Sequence, residues 1–94
     1  MSLSDDKVFR AKKEVTWRET EGKLIVLNLQ SGLYYTLDEM ATVFFNLLIQ
    51  EKKILEIIQA ICVEYKATPD QVRSDLEEFI TTLTQENILE PLHA

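Results

Sequence analysis

The sequence predicts a small α+β domain: a three-stranded antiparallel sheet followed by three helices, arranged like a winged helix-turn-helix. Three observations carry this. Between Val15 and Leu37, apolar and polar residues alternate or run as short β-branched segments divided by turn residues. From Asp38 almost to the end, the apolar residues return at helical spacing instead. With 94 residues the chain has room for a single domain, because dividing it would leave two cores too small to hold.

Taken in order, residues 1–7 are polar and without period, and read as a flexible arm that Val8 and Phe9 could anchor. Val15-Thr16-Trp17-Arg18 alternates as a half-buried strand does, and Gly22 supplies the positive φ of a hairpin turn. Residues 23–29, Lys23-Leu24-Ile25-Val26-Leu27-Asn28-Leu29, are apolar on both alternating faces, which predicts a central strand covered on both sides. After a turn punctuated by Ser31-Gly32, residues 32–37 form the third strand. Leu33, Tyr35 and Leu37 are expected on its core face, and Tyr34 and Thr36 on the other. The order of a meander leaves this third strand with one free edge.

Asp38 can cap a first helix near residues 38–50, whose apolar positions are Ala41, Phe44, Phe45 and Leu48. Glu51-Lys52-Lys53 breaks the pattern. A second helix over 54–65 is expected to bury Ile54, Ile57, Ile58, Ile61 and Tyr65. The third helix has the clearest start: Thr68 as cap, Pro69 at the first helical position, and Gln71 three after the cap. Val72, Leu76, Phe79, Ile80 and Leu83 form its apolar stripe. Asn87 tolerates the left-handed conformation that ends a helix, and residues 88–92 follow as a short extended tail packed back on the helices.

Composition narrows the function. Hydrophobic residues are 46% and charged residues 28%, the balance of an ordinary globular protein. No basic stretch followed by an apolar core opens the chain, and its longest apolar run, Ile54–Val63, is interrupted by Glu56 and Gln59. A cytoplasmic protein without membrane attachment is therefore expected. Cys62 and His93 are the lone cysteine and histidine, so no internal disulfide can form, and their separation nearly excludes zinc sites and Cys-His or Ser-His nucleophiles. Cys62 reads as a small buried hydrophobe, and His93, next to the terminus, as a poor catalytic base. There is no Gly-rich phosphate loop. No catalytic residue, metal site or cofactor is assigned, and the protein is expected not to be an enzyme.

The net charge of −6 is uneven. Lys7, Arg10, Lys12, Lys13, Arg18 and Lys23 lie early, whereas the chain from Glu64 onward carries seven acids against Lys66 and Arg73. A DNA-reading winged helix would bring Arg, Lys, Asn or Gln to the major groove on its third helix. Here that helix offers Asp75, Glu77 and Glu78 beside a single arginine, so nucleic acid is disfavoured. A peptide-binding module fits better, since an edge strand has unpaired backbone groups to which an extended segment can add. Covering of that edge by the N-terminal arm or the tail is the alternative that residue patterns leave open.

From Val15 to Leu89 the chain resembles the PqqD family, the recognition elements of ribosomally made and post-translationally modified peptides (RiPPs). The resemblance rests on Gly22, Val26-Leu27-Asn28, Ser31-Gly32-Leu33-Tyr34-Tyr35-Thr36-Leu37-Asp38, Ala41, Leu47-Leu48, Ile54–Ile58, Tyr65, Asp75-Leu76, Phe79, Leu83 and Ile88-Leu89, in that order and spacing. The chain departs where the family usually has Asn (Asp38), often Trp (Phe45), and Ser or Thr near Lys53. The last puts the start of the second helix in doubt.

The resemblance implies a non-catalytic protein that adds the leader segment of a precursor peptide to its third strand, in a cleft beside the third helix. It implies presentation of that leader to a separate enzyme. Gly32, Leu33, Tyr34, Tyr35 and Thr36 would form the strand side of the cleft. Val72 and Leu76 would supply the apolar floor of its helix side, in the N-terminal half of the third helix, with Arg73 and Asp75 as the polar edge and Phe79 shared with the core. The partner enzyme would be a lasso-peptide leader peptidase or, in the quinone-cofactor pathway, a radical SAM enzyme. The Gly-x-Tyr-Tyr-x-Leu pattern is closer to the lasso-peptide proteins.

Overall fold

In the computed structural model of the protein, which describes residues 3–92, eight elements follow one another. They are β1 (Phe9–Ala11), β2 (Val15–Thr20), β3 (Lys23–Asn28), β4 (Tyr34–Leu37), α1 (Glu39–Ile49), α2 (Ile54–Tyr65), α3 (Pro69–Gln85) and β5 (Leu89–Pro91). The expected three-stranded antiparallel sheet is present in the order β2-β3-β4, and three helices follow it. A second, two-stranded sheet pairs β1 with β5, Arg10 opposite Glu90. That sheet was not expected, because three residues are too few to show a period and the partners are separated by most of the chain.

The local signals act as their chemistry requires. Glu21 (φ 50°) and Gly22 (φ 77°) are the two loop residues between the paired Thr20 and Lys23, and positive φ at both matches the twist of a tight hairpin. Asp38 Oδ1 accepts from the Ala41 amide at 2.9 Å and opens α1. Thr68 Oγ1 accepts from the Gln71 amide and opens α3. Although Lys53 cannot cap α2 with an acceptor, Glu56 Oε1 reaches back to the Lys53 amide at 2.8 Å, which removes the doubt over that start.

Several expectations are corrected. Strand β4 begins at Tyr34 rather than residue 32, because Gly32 (φ 77°) belongs to the preceding turn. Leu33, expected on the core face, is 56% exposed. Strand β3 is central but covered on one side only: Leu24, Val26 and Asn28 are buried against the helices, and Ile25 and Leu27 are half-buried on the outer face. Tyr65 ends α2 where Lys66 turns left-handed (φ 53°), and the residue is 42% exposed. Residues 3–7, expected as a loose arm, are pinned: the Ile54 amide donates to Lys7 O and the Leu55 amide to Asp5 O. Met1 and Ser2 of that arm, and His93, lie outside the described residues.

The core lies between the inner face of the sheet and the three helices. Val26, Phe45, Leu48, Ile54, Ile57, Leu76, Ile88 and Leu89 are fully buried in it. Trp17 packs edge-on against Phe45, ring centres 5.3 Å apart. Asn28 is the buried polar hub. Its Oδ1 accepts from the Gln30 and Ser31 amides, and its Nδ2 donates to Asn87 O. One side chain thereby shapes the β3–β4 turn and ties it to the end of α3. Asn87 takes the expected left-handed conformation (φ 61°).

Candidate peptide-binding cleft

Strand β4 pairs with β3 along one edge, and no described strand pairs with the other. The Asn28 amide donates to Leu33 O at 3.0 Å, so these two form a hydrogen-bonded pair. Such pairs alternate in an antiparallel ladder, and the register then makes Val26–Tyr35 and Leu24–Leu37 the next ones. Tyr34 and Thr36 sit between them. Their N–H and C=O groups therefore point away from β3, at the free edge.

That edge opens on a cleft of about 510 Å³. One wall is Tyr35, Thr36 and Leu37, continued by Asp38 and by Met40, Ala41 and Phe44 at the start of α1. The other wall is Asp75, Glu78, Phe79, Thr82 and Leu83 of α3. Phe44 and Phe79 meet across the base, ring centres 5.6 Å apart and tilted by 55°. At one rim the Tyr35 phenol donates to Glu86 Oε2 at 2.8 Å. This bond, followed by burial and the nearby carboxylate charge, holds the Tyr35 phenol above its ordinary value of 10.0.

Of the residues predicted to bind, Tyr35, Thr36, Asp75 and Phe79 meet in this cleft. Gly32, Leu33 and Tyr34 do not line it; Leu33 and Tyr34 are exposed beside the β3–β4 turn. Val72 and Leu76, expected as its floor, are 4% and 0% exposed and belong to the core. Arg73 faces elsewhere, donating to Leu3 O at 3.0 Å and pairing with Asp5. The reason is helical geometry, since residues three and four apart share a face. Val72, Leu76, Ile80 and Leu83 form the buried stripe, and Arg73 and Glu77 hold the N-terminal arm. Asp75, Glu78 and Thr82 face the cleft, while Phe79 and Leu83, at the border of the stripe, pack on the core and line the cleft as well.

The helix side of the cleft thus runs from Asp75 to Leu83 and leaves out Val72, Arg73 and Leu76 of the N-terminal half. Met40, Ala41, Phe44, Glu78, Thr82 and Leu83 were not foreseen as lining. The one signal for them was the spacing of Met40 to Phe44 and of Asp75, Glu78, Phe79 and Thr82, each set repeating on a helical face. Among the described residues no group of His, Cys, Asp and Glu is placed to hold a metal.

The model of the family described as coenzyme PQQ synthesis protein D (PqqD) matches residues 23–89, from the start of β3 to the start of β5. The chain belongs to the PqqD family. Two solved structures share its fold. TbiB1 in complex with the TbiA(beta) leader peptide is 29% identical with a TM-score of 0.83, over 90% of this chain and 99% of that one. A lasso peptide synthetase B1 complexed with the leader peptide is 22% identical with a TM-score of 0.82, over 88% and 98%. No curated protein matches the chain. The PqqD-family region contains the whole cleft described above, from Tyr35 to Leu83.

Proposed function

We propose that this PqqD-family chain captures the leader segment of a ribosomally made precursor peptide and presents it to a separate maturation enzyme, a lasso-peptide leader peptidase. The leader adds antiparallel to the free edge of β4, where the backbone groups of Tyr34 and Thr36 take its main-chain hydrogen bonds. Its alternate side chains enter the cleft over Phe44 and Phe79. The protein performs no chemistry itself.

The observation that carries this reading is a free strand edge opening directly on an apolar cleft. The leader peptides named with TbiB1 and with lasso peptide synthetase B1 support it. The family description, coenzyme PQQ synthesis, favours a second reading of the partner alone: a radical SAM enzyme in place of the peptidase.

Amide NMR with a candidate leader tests the site. Shifts should concentrate at residues 34–37 and 75–83. Shifts confined to residues 7–23, or binding to duplex DNA instead, would overturn it. The partner is decided by which enzyme, a leader peptidase or a radical SAM enzyme, is retained by the protein loaded with its leader.

A further inference from the structure

The cleft is apolar at its base and acidic at its mouth. Asp38, Asp75 and Glu78 line it, Glu86 stands at its rim, and neither Lys nor Arg is among its lining residues. Among the described residues, none of these four carboxylates belongs to an ion pair. Asp75 accepts from Gln71 Nε2, Asp38 from a backbone amide and Glu86 from a phenol, all neutral donors. The last turn of α3 carries no basic residue either, so the negative end of its dipole adds to the charge beside Glu86.

We infer that the segment this cleft selects is an extended basic one: an apolar residue over Phe44 and Phe79, flanked by lysine or arginine. This rests on the proposed reading of the cleft as a peptide site and names the chemistry of its ligand. From Asp75 to Glu86 is about 16 Å at the rise of a helix. Extended chain covers that length in about five residues, of which every second one faces the cleft. Three side chains therefore fit between the ends of the acidic wall. The middle one meets the apolar base and the outer ones meet carboxylates. An acidic residue at an outer position would meet like charge with no cation nearby to offset it.

The test is selection from a library of random peptides, each about twelve residues long, on the intact protein. Binders are mapped by amide shifts, and one cleft binder is then titrated. Its peptides should carry a severalfold excess of Lys and Arg over Asp and Glu. Affinity for that binder should fall about fivefold in D75N/E78Q and at high salt, but less than twofold in E51Q/E64Q. The second pair removes the same charge from exposed positions outside the cleft lining. Cleft binders without a basic excess, or equal losses in both pairs, would overturn the charge inference and leave the cleft reading standing. Binders that shift neither residues 34–37 nor 75–83 would overturn both.

Discussion

Tyr35 on β4 and Glu86 at the end of α3 are 51 residues apart in sequence, and a 2.8 Å hydrogen bond between their side chains joins the two walls of the cleft at one end. The phenol is the donor, so the bond exists only while Tyr35 is protonated.

This fixes a direction in pH. The folded phenol titrates above its ordinary value of 10.0, so its contribution to stability is fully present below that value and is lost as pH rises through the folded pKa. Ultraviolet titration of tyrosine ionisation should show a component, that of Tyr35, above that value. Glu86→Gln should bring it back toward the ordinary value. A titration unchanged by that substitution would mean that Glu86 does not cause the shift.

Proline separates the two edges of β4. Thr36→Pro removes an N–H aimed at the free edge, where proline is tolerated in a strand, so leader affinity should fall severalfold while the fold persists. Tyr35→Pro removes an N–H directed at β3 and should lower Tm by itself. Isothermal calorimetry and thermal melts read the two effects. Unchanged affinity in Thr36→Pro would exclude strand addition at this edge.

Phe79 and Leu76 are three apart on α3 but face different surroundings. Leu76→Ala empties a fully buried site and should cost about 2–5 kcal/mol in denaturant unfolding. Phe79→Ala, at the half-buried cleft wall, should weaken peptide binding at least as much as it weakens the fold. The opposite ranking would place the cleft elsewhere.

Arg73, predicted at the cleft edge, instead holds the N-terminal arm through Leu3 and Asp5. Arg73→Ala should leave peptide affinity within about twofold, as surface substitutions away from a site do. Hydrogen exchange should quicken at the Leu55 amide, whose acceptor is Asp5 O. A large affinity loss would return Arg73 to the cleft.

The locally encoded features were legible without a structure. Asp38, Thr68, Pro69 and Gly22 act through neighbours a few residues away, and the helices they bound fall where periodicity puts them. The order of strands before helices was equally readable, as was the pairing of hairpin neighbours. What escaped was long-range. The β1–β5 pair, the hold of Arg73 on the arm, and the Asn28–Asn87 link each join residues 59 or more apart.

Sequence by itself determined the α+β order, the caps of α1 and α3, the edge position of the third strand in a meander and the acidic character of α3. Each follows from spacing or charge along one stretch of chain. Only the tertiary structure decided which face of α3 meets β4. Val72, Leu76 and Phe79 all read as one apolar stripe, but a helix has a single angular setting against its neighbours. Packing on the core took Val72 and Leu76 and turned Phe79, with Asp75 and Glu78, toward the open edge of β4.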